Sequence, residues 1–506
     1  MDFHISNTNI IAVDAAHGTH PFKGDILIKG SRIAHVGHPI PTPDGALKID
    51  GRNRLVMPGL VNAHVHSWEA LFKGRYDNLP LEIWMLYSYP ILGAKALDPR
   101  LIYLRSMIVG LESLKNGVTC LVDDIIELPV QGMDAIDAVF DAYHDVGIRA
   151  NVSGHVIDRP FVDTIPYTHE YLPAGLIAET ASIKLPTVED YLHFARAVVN
   201  KHENRADRLH YLVAPSGPQR CTKEMLKATH DFAREIKSAY HIHVLETKVQ
   251  EVSGRKFYGR TLVQYLDDLG VLTDISTLAH SIWVTDDDIA RMAARGSSVA
   301  HNPVSNQKLG AGIAPFRKLL DAGVNVALGS DGISSNDTSR MLDVMRVAGL
   351  LHKVTTPEYG KWPSASEIIY AATMGGARSV QLDNEIGSVE IGKRADLVLF
   401  DLDTINFTPQ NDLLNHVVYC ENGSSVDKVF VNGEVVVDGG VITKVNEAAL
   451  LNELRERYAA FSEHHKGVEE LNRRFEPYFS QIHKRCCGES SELNRYSTSQ
   501  DEWLLS

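Results

Sequence analysis

MPGLVNAHVHSWEALF, residues 57–72, sets an apolar run against two histidines, His64 and His66, and then turns polar and helical. Side chains two apart on a strand face the same way, so both imidazoles can address one ion from the strand's end. An HxH pair alone suits satisfied core or surface histidines as well, so its meaning depends on the rest of the chain.

Working outward, the same grammar repeats. Short apolar runs alternate with amphipathic stretches: LVMPGLVNAH, TCLVDD, RANVSGHV, LHYLVAP, YHIHVL, STLAHS, SSVAHNP and VNVALGSD, with helix-like segments such as PRLIYLRSMIVGLESLKNG, DAIDAVFDAYHDVG and TKEMLKATHDFAREIK between them. Eight strand–helix repeats predict a (β/α)8 TIM barrel of the α/β class, with its active site at the C-terminal ends of the strands. Nearly every run ends in His, Asp, Ser or Pro, a polar crown where catalysis would sit.

The flanks alternate differently. NTNIIAV, GDILIKGSRIAHVG and ALKIDG before the barrel, and ADLVLFDLD, VDKVFVNGEVVVDGG and VITKV after it, read as hairpin strands. They predict a composite β-sandwich built from both chain ends, giving residues 1–57 and 387–445 for the sandwich and 58–386 for the barrel. Residues 446–506 form a charged helical extension, whose last stretch from Cys486 is expected to be mobile.

The 506 residues suit a barrel of about 250 plus a second unit. A net charge of −14 counts against nucleic acid or an anionic membrane as partner. No apolar run approaches the roughly 20 residues of a membrane span, and the start lacks a signal-peptide pattern. Five cysteines without a CxxC pair suit a reducing compartment, so a cytoplasmic protein acting on a small molecule is expected.

Two further groups join the first pair. His243, in HIHVLE, closes the fifth strand with Glu246 three residues on, and Asp331, in LGSDG, ends the eighth. Three imidazoles and a carboxylate suit Zn²⁺, with Fe²⁺ the alternative. A lone Asp at a strand end is usually a cap, but four such groups on one rim are hard to explain without a metal.

PGLVNAHVH, HVLET, NPVSNQKLG, LGSDG and GSVEIGKRADLVLFD resemble the amidohydrolase superfamily, in the branch holding cytosine, guanine and S-adenosylhomocysteine deaminases and the triazine hydrolases. The resemblance runs from about residue 55 to 402. It implies a distorted barrel with a composite sandwich, His64, His66, His243 and Asp331 as metal ligands, Glu246 as proton shuttle, and His280 (in LAHSIW) as the group that orients the nucleophile or polarises the substrate. Asp331 would then act in catalysis as well as ligation. Homodimers or homotetramers are the family's habit. Binuclear relatives place a bridging lysine at the end of the fourth strand; here that strand ends Val213-Ala214-Pro215-Ser216-Gly217-Pro218, which predicts a single ion. Many deaminases of the branch carry a substrate-contacting histidine where this chain has Ser216, a departure that counts against S-adenosylhomocysteine or methylthioadenosine as substrate.

Among the remaining residues, Trp68, Ser216, Asn302 and Asn306 are expected at the substrate. Glu69 reads as solvent-facing or a helix cap, Asp123 and Asp124 as caps, His301 as structural, and Trp84 and Tyr87 as belonging to a loop over the site, with Trp84 its anchor. The leading function is hydrolytic deamination of a small amino-substituted nitrogen heterocycle. The alternative is cleavage of a C–Cl, urea, carbamate or amide bond in a small substrate, including a xenobiotic one. A non-catalytic assembly protein on the same barrel would usually have lost ligands, and here all four and Glu246 are kept.

Overall fold

The computed structural model describes residues 1–181 and 183–497. All eight expected barrel strands form, at Leu60–His66, Val118–Asp123, Arg149–Ser153, Leu209–Leu212, Tyr240–Val244, Ser276–His280, Ser298–His301 and Asn325–Leu328, and neighbours pair in parallel. Two joints complete the ring irregularly. The fourth and fifth strands meet through a Val213–Tyr240 bridge. The eighth and first pair only beyond the strand end, where Asp331 and Gly332 lie against Val65 and His66. Just below that, the Asn62 side chain substitutes for a ladder carbonyl by accepting from Ser330 N at 2.9 Å. The barrel is therefore distorted where the metal-ligand candidates sit.

Local chemistry sets the helices around it. Thr187, Thr261, Thr285 and Ser364 form capping boxes with Asp190, Gln264, Asp288 and Glu367. Each satisfies two backbone groups that a helix start leaves orphaned. Gly147, Gly259 and Gly296 end helices in the left-handed conformation.

The two chain ends share one nine-stranded sheet, joined where Leu397–Asp401 runs antiparallel to Arg54–Pro58. The sheet curls back on itself. Ile33 N donates to Lys393 O and Ala395 N to Ser31 O, enclosing Phe3, Ile5, Ile26, Ile28, Leu397, Leu399 and Phe430. Its outer face, with Leu55, Met57, Val398 and Phe400, belongs to the main core with the barrel. This is the composite sandwich, whose central strands Arg54–Pro58 and Leu397–Asp401 bury side chains on both faces.

The C-terminal extension departs from expectation. Helices Glu447–Arg473 and Glu476–Gly488 continue through the cysteines, and the chain beyond them docks on the barrel: Ile313 N donates to Arg495 O at 2.7 Å, and Arg495 Nη2 to Val284 O at 2.6 Å. The stretch from Cys486 thus makes these contacts as far as it is described, and residues 498–506 lie outside the described residues. No helix among the described residues is long and apolar enough to cross a membrane.

Candidate metal centre and active site

The strand alternation carries His64 and His66 to the barrel interior, and the fifth strand brings His243 opposite them. His243 Nε2 lies 3.3 Å from His66 Nε2, and Asp331 Oδ1 lies 3.4 Å from His66 Nε2 and 3.6 Å from His64 Nε2. All four groups are buried. The far nitrogens are pinned: His66 Nδ1 donates to Asp124 O at 2.6 Å and His243 Nδ1 to Ser216 O at 2.9 Å. A carbonyl can only accept, so both rings are held with Nε2 lone pairs facing the centre, as metal ligands require. His64 contacts His241 through Nδ1 at 2.8 Å and leaves its buried Nε2 without a partner.

Electrostatics fit a cation. Burial pushes the His64 and His243 imidazoles well below their ordinary value, keeping them neutral. At His66 burial acts the same way but is outweighed by Asp331, Glu69 and Asp124, which push it up to about 9. The carboxylates that favour a proton there equally favour a metal ion. The donor set passes this test.

Backbone strain shapes the rim. Leu245, His280 and Asp331 take φ of 54°, 72° and 64°, the left-handed region costly for side chains larger than glycine. That twist turns Glu246, His280 and Asp331 toward one chamber, with His280 Nε2 3.8 Å from Glu246 Oε2 and 3.7 Å from Asp331 Oδ2. Gln250 holds Glu246 from the next helix turn, its Oε1 accepting from Glu246 N at 3.0 Å. Burial raises the Glu246 carboxyl above its ordinary value.

Trp68, Tyr87 and His301 lie where expected, whereas Trp84, Asn302, Asn306 and Ser216 do not. Trp68 lines the chamber, as do Trp84 and Met85 from the helix Leu81–Ser88, so Trp84 is a wall as well as an anchor. Tyr87 anchors the loop, through its hydroxyl to Glu476. Asn302 and Asn306 stand behind the chamber: Asn306 Oδ1 lies 2.9 Å and Asn302 Nδ2 3.4 Å from His280 Nδ1. Ser216 also sits behind it, orienting His243 through its carbonyl. His301 pairs with His352 Nε2 at 3.0 Å, away from the centre.

Glu69 neither faces solvent nor caps a helix. It is buried beside His66 and Asp331, one of its oxygens accepting from the backbone and hydroxyls of Ser334 and Ser335, and burial pushes its carboxyl up to about 7. Asp123 and Asp124 are not caps either. Asp123 accepts from Ser67 N and Tyr143 Oη, while Asp124 binds Ser153 Oγ and His155 and lies 3.8 Å from His243 Nδ1. Burial opposes that charge on Asp124, but His155 and His243 hold it well below the carboxylate range. The chamber lining also includes His155 and Arg220, neither of which the sequence singles out. His155 was one member of the polar crown, and Arg220, in SGPQRCT, was the lone basic residue of the loop after the fourth strand.

A barrel whose strand ends converge three imidazoles and a carboxylate beside a second buried carboxyl group, that of Glu246, fits a metal-dependent hydrolase. The chain belongs to the amidohydrolase family, whose model matches residues 55–436, and it acts on carbon–nitrogen bonds. It is 30% identical over 458 residues, covering 90% of this chain and 98% of the relative, to a protein of Caldanaerobacter subterraneus named 5-methylthioadenosine/S-adenosylhomocysteine deaminase. It is similar in structure to a zinc-bound adenosine deaminase from Xanthomonas campestris, at a TM-score of 0.78 and 26% identity over 91% of this chain and 99% of the other. The fold is shared by a zinc-complexed atrazine chlorohydrolase from Arthrobacter aurescens, at a TM-score of 0.80 and 23% identity over 90% and 100%.

Proposed function

We propose that this protein is a mononuclear zinc-dependent deaminase of a small amino-substituted nitrogen heterocycle. The observation that carries the reading is the juxtaposition of Glu246 and His280 with the convergent donors around one chamber. His64, His66, His243 and Asp331 would hold the ion. The fourth strand offers no lysine to bridge a second one, which supports a single ion. When bound, zinc supplies a Lewis acid that lowers the pKa of water from 15.7 to about 7.

The chain's own groups supply the rest. Glu246, raised by burial, is suited to take a proton from the attacking water and hand it to a ring nitrogen or to the departing amine. Ammonia leaves poorly without that proton, which favours amine loss where such a carboxyl is present. His280, whose Nδ1 donates to Asn306 Oδ1, presents the Nε2 lone pair to the attacking water and orients it. Trp68 and Trp84 offer flat walls to a planar ring. The deaminase names of the relatives support the same bond.

The test is a panel of aminopurines, aminopyrimidines, aminotriazines and arylureas given to zinc-loaded protein, with ammonia and chloride measured in parallel. Ammonia release from an amino-heterocycle is expected, and chloride release alone would overturn the deaminase reading. Glu246→Gln should keep the zinc and lose turnover by about 10²–10⁴-fold. His243→Ala and Asp331→Ala should lose zinc and turnover together.

A further inference from the structure

The chamber opens at Tyr89, Ile126, His155, Ile157 and Arg220 into a larger cavity of about 430 Å³. That outer cavity is walled largely by apolar side chains, among them Leu128, Pro129, Phe161, Ile183 and Phe194. Arg220 stands at the neck between the two. Its Nη1 donates to Ser216 Oγ at 3.3 Å and its Nη2 points at Met85 Sδ at 3.1 Å, and among the described residues no carboxylate lies within ion-pair distance of it. A guanidinium has five donors in a planar fork, and a hydroxyl and a thioether neutralise none of its charge. Burial pushes it below its ordinary value, against the longer-range attraction of Glu246 and Glu82, neither of which forms an ion pair with it.

Of the carboxylates whose charge reaches it, Glu246 stands deeper in the chamber and Glu82 is tied to His483, and those of the outer passage are engaged elsewhere. Glu127, on the outer cavity wall, is paired with buried Arg105. Asp190 closes the capping box of Val188–His202. Arg159, the second guanidinium of the passage, donates to the carbonyls of Gln219 and Asp163 and to the Tyr258 hydroxyl, none of them charged. The passage thus carries positive charge that its own side chains leave uncompensated, on the way to a site rich in carboxylates.

Resting on the deaminase reading above, we propose that the substrate carries a carboxylate on or beside its ring, that Arg220 receives it as a two-pronged hydrogen-bond partner at the neck, and that the outer cavity takes an apolar substituent. Arg220 then fixes which edge of the ring meets Glu246 and His280. Planar carboxylates match the guanidinium fork, and the charge-assisted bonds gain strength away from bulk water.

The binding test uses zinc-loaded full-length protein titrated with benzoate and with benzamide, read by the fluorescence of Trp68 and Trp84. Wild type should prefer benzoate by about 10- to 100-fold. Arg220→Gln should lose the preference, and Arg220→Lys should keep a reduced one, which separates a charge effect from a folding defect. No benzoate preference in wild type, or an undiminished one in Arg220→Gln, would overturn the proposal whatever the reaction is. In the turnover panel, each amino-heterocycle is supplied with and without a ring carboxylate, and Arg220→Gln should raise KM only for the carboxylates. Ammonia release without any such preference would sink the Arg220 assignment and leave the deaminase reading standing. Benzoate preference without ammonia release from any compound would do the reverse.

Discussion

Gly332 shows how tightly single residues hold the centre. A β-carbon there would lie 1.9 Å from the carboxyl carbon and both oxygens of Glu69, so the backbone can pass only without a side chain. The approach lets Glu69 reach Ser334 and Ser335 while Asp331 turns to the histidines. Gly332→Ala must push the Glu69 carboxyl out of its hydrogen bonds or drag Asp331 off line. Overpacking of this kind costs typically about 1–3 kcal/mol. We expect a lowered melting temperature together with substoichiometric metal after dialysis. Unchanged melting and a full complement of metal would show that the loop absorbs the methyl group.

At the level of elements, the C-terminal extension is a brace for the chamber wall. The helix Leu81–Ser88 carries Trp84 and Met85 inward, and its outer side is tied down by the extension: Tyr87 to Glu476, and Glu82 to His483 Nδ1 at 3.4 Å. Glu82 also accepts from Thr247 Oγ1 at 2.6 Å, one residue after Glu246. Burial opposes the charge on His483, but the bonds to Cys487 and Glu82 outweigh it and push it up to about 10. His483 and Thr247, against burial, hold Glu82 below its ordinary value. A histidine raised on folding stabilises fully below its unfolded value near 6.5, and that contribution fades as pH climbs toward 10. Glu82 works oppositely, contributing above its unfolded value of 4.5 and losing it as pH falls. The melting-temperature gap between wild type and His483→Gln should therefore be widest near pH 5–6.5 and close by pH 10. A gap independent of pH would remove the ion pair from this account. The brace also marks what the sequence could not convey. The barrel strands were legible because apolar runs and polar ends recur with a fixed period. The extension reads as solvated charge, and only its docking reveals which of those charges are pinned. Glu69, Asp124 and Arg220 were illegible for the same reason: their burial is decided by segments far along the chain. His64, His66, His243, Glu246, His280 and Asp331 were legible as a cluster because they lie at or just past strand ends, and their roles came from the family resemblance.

Over the whole molecule, the terminal sheet and the barrel are locked by more than their shared apolar face. Arg149, at the start of the third barrel strand, gives Nε to Asp396 Oδ2 at 2.7 Å and Nη2 to Oδ1 at 3.1 Å, with both side chains buried. Asp396 directly precedes the strand Leu397–Asp401 and also accepts from Asn432 N at 2.7 Å, so one carboxylate ties three distant segments. Removing one member of a buried pair strands the other charge, at about 3–5 kcal/mol, whereas replacing both by apolar groups can be nearly neutral. Asp396→Ala should thus unfold at markedly lower denaturant, and Arg149→Met/Asp396→Leu should recover part of the loss. Recovery should stop short of wild type because Asn432 N loses its acceptor and Asp207 O the donor from Arg149 Nη1. Both lie at the opposite barrel end from the chamber, so kcat per bound metal ion should hold in either variant. If the double variant proved no more stable than Asp396→Ala, the three-way hydrogen-bonding of the carboxylate, rather than the stranded charge, would be what joins sheet to barrel.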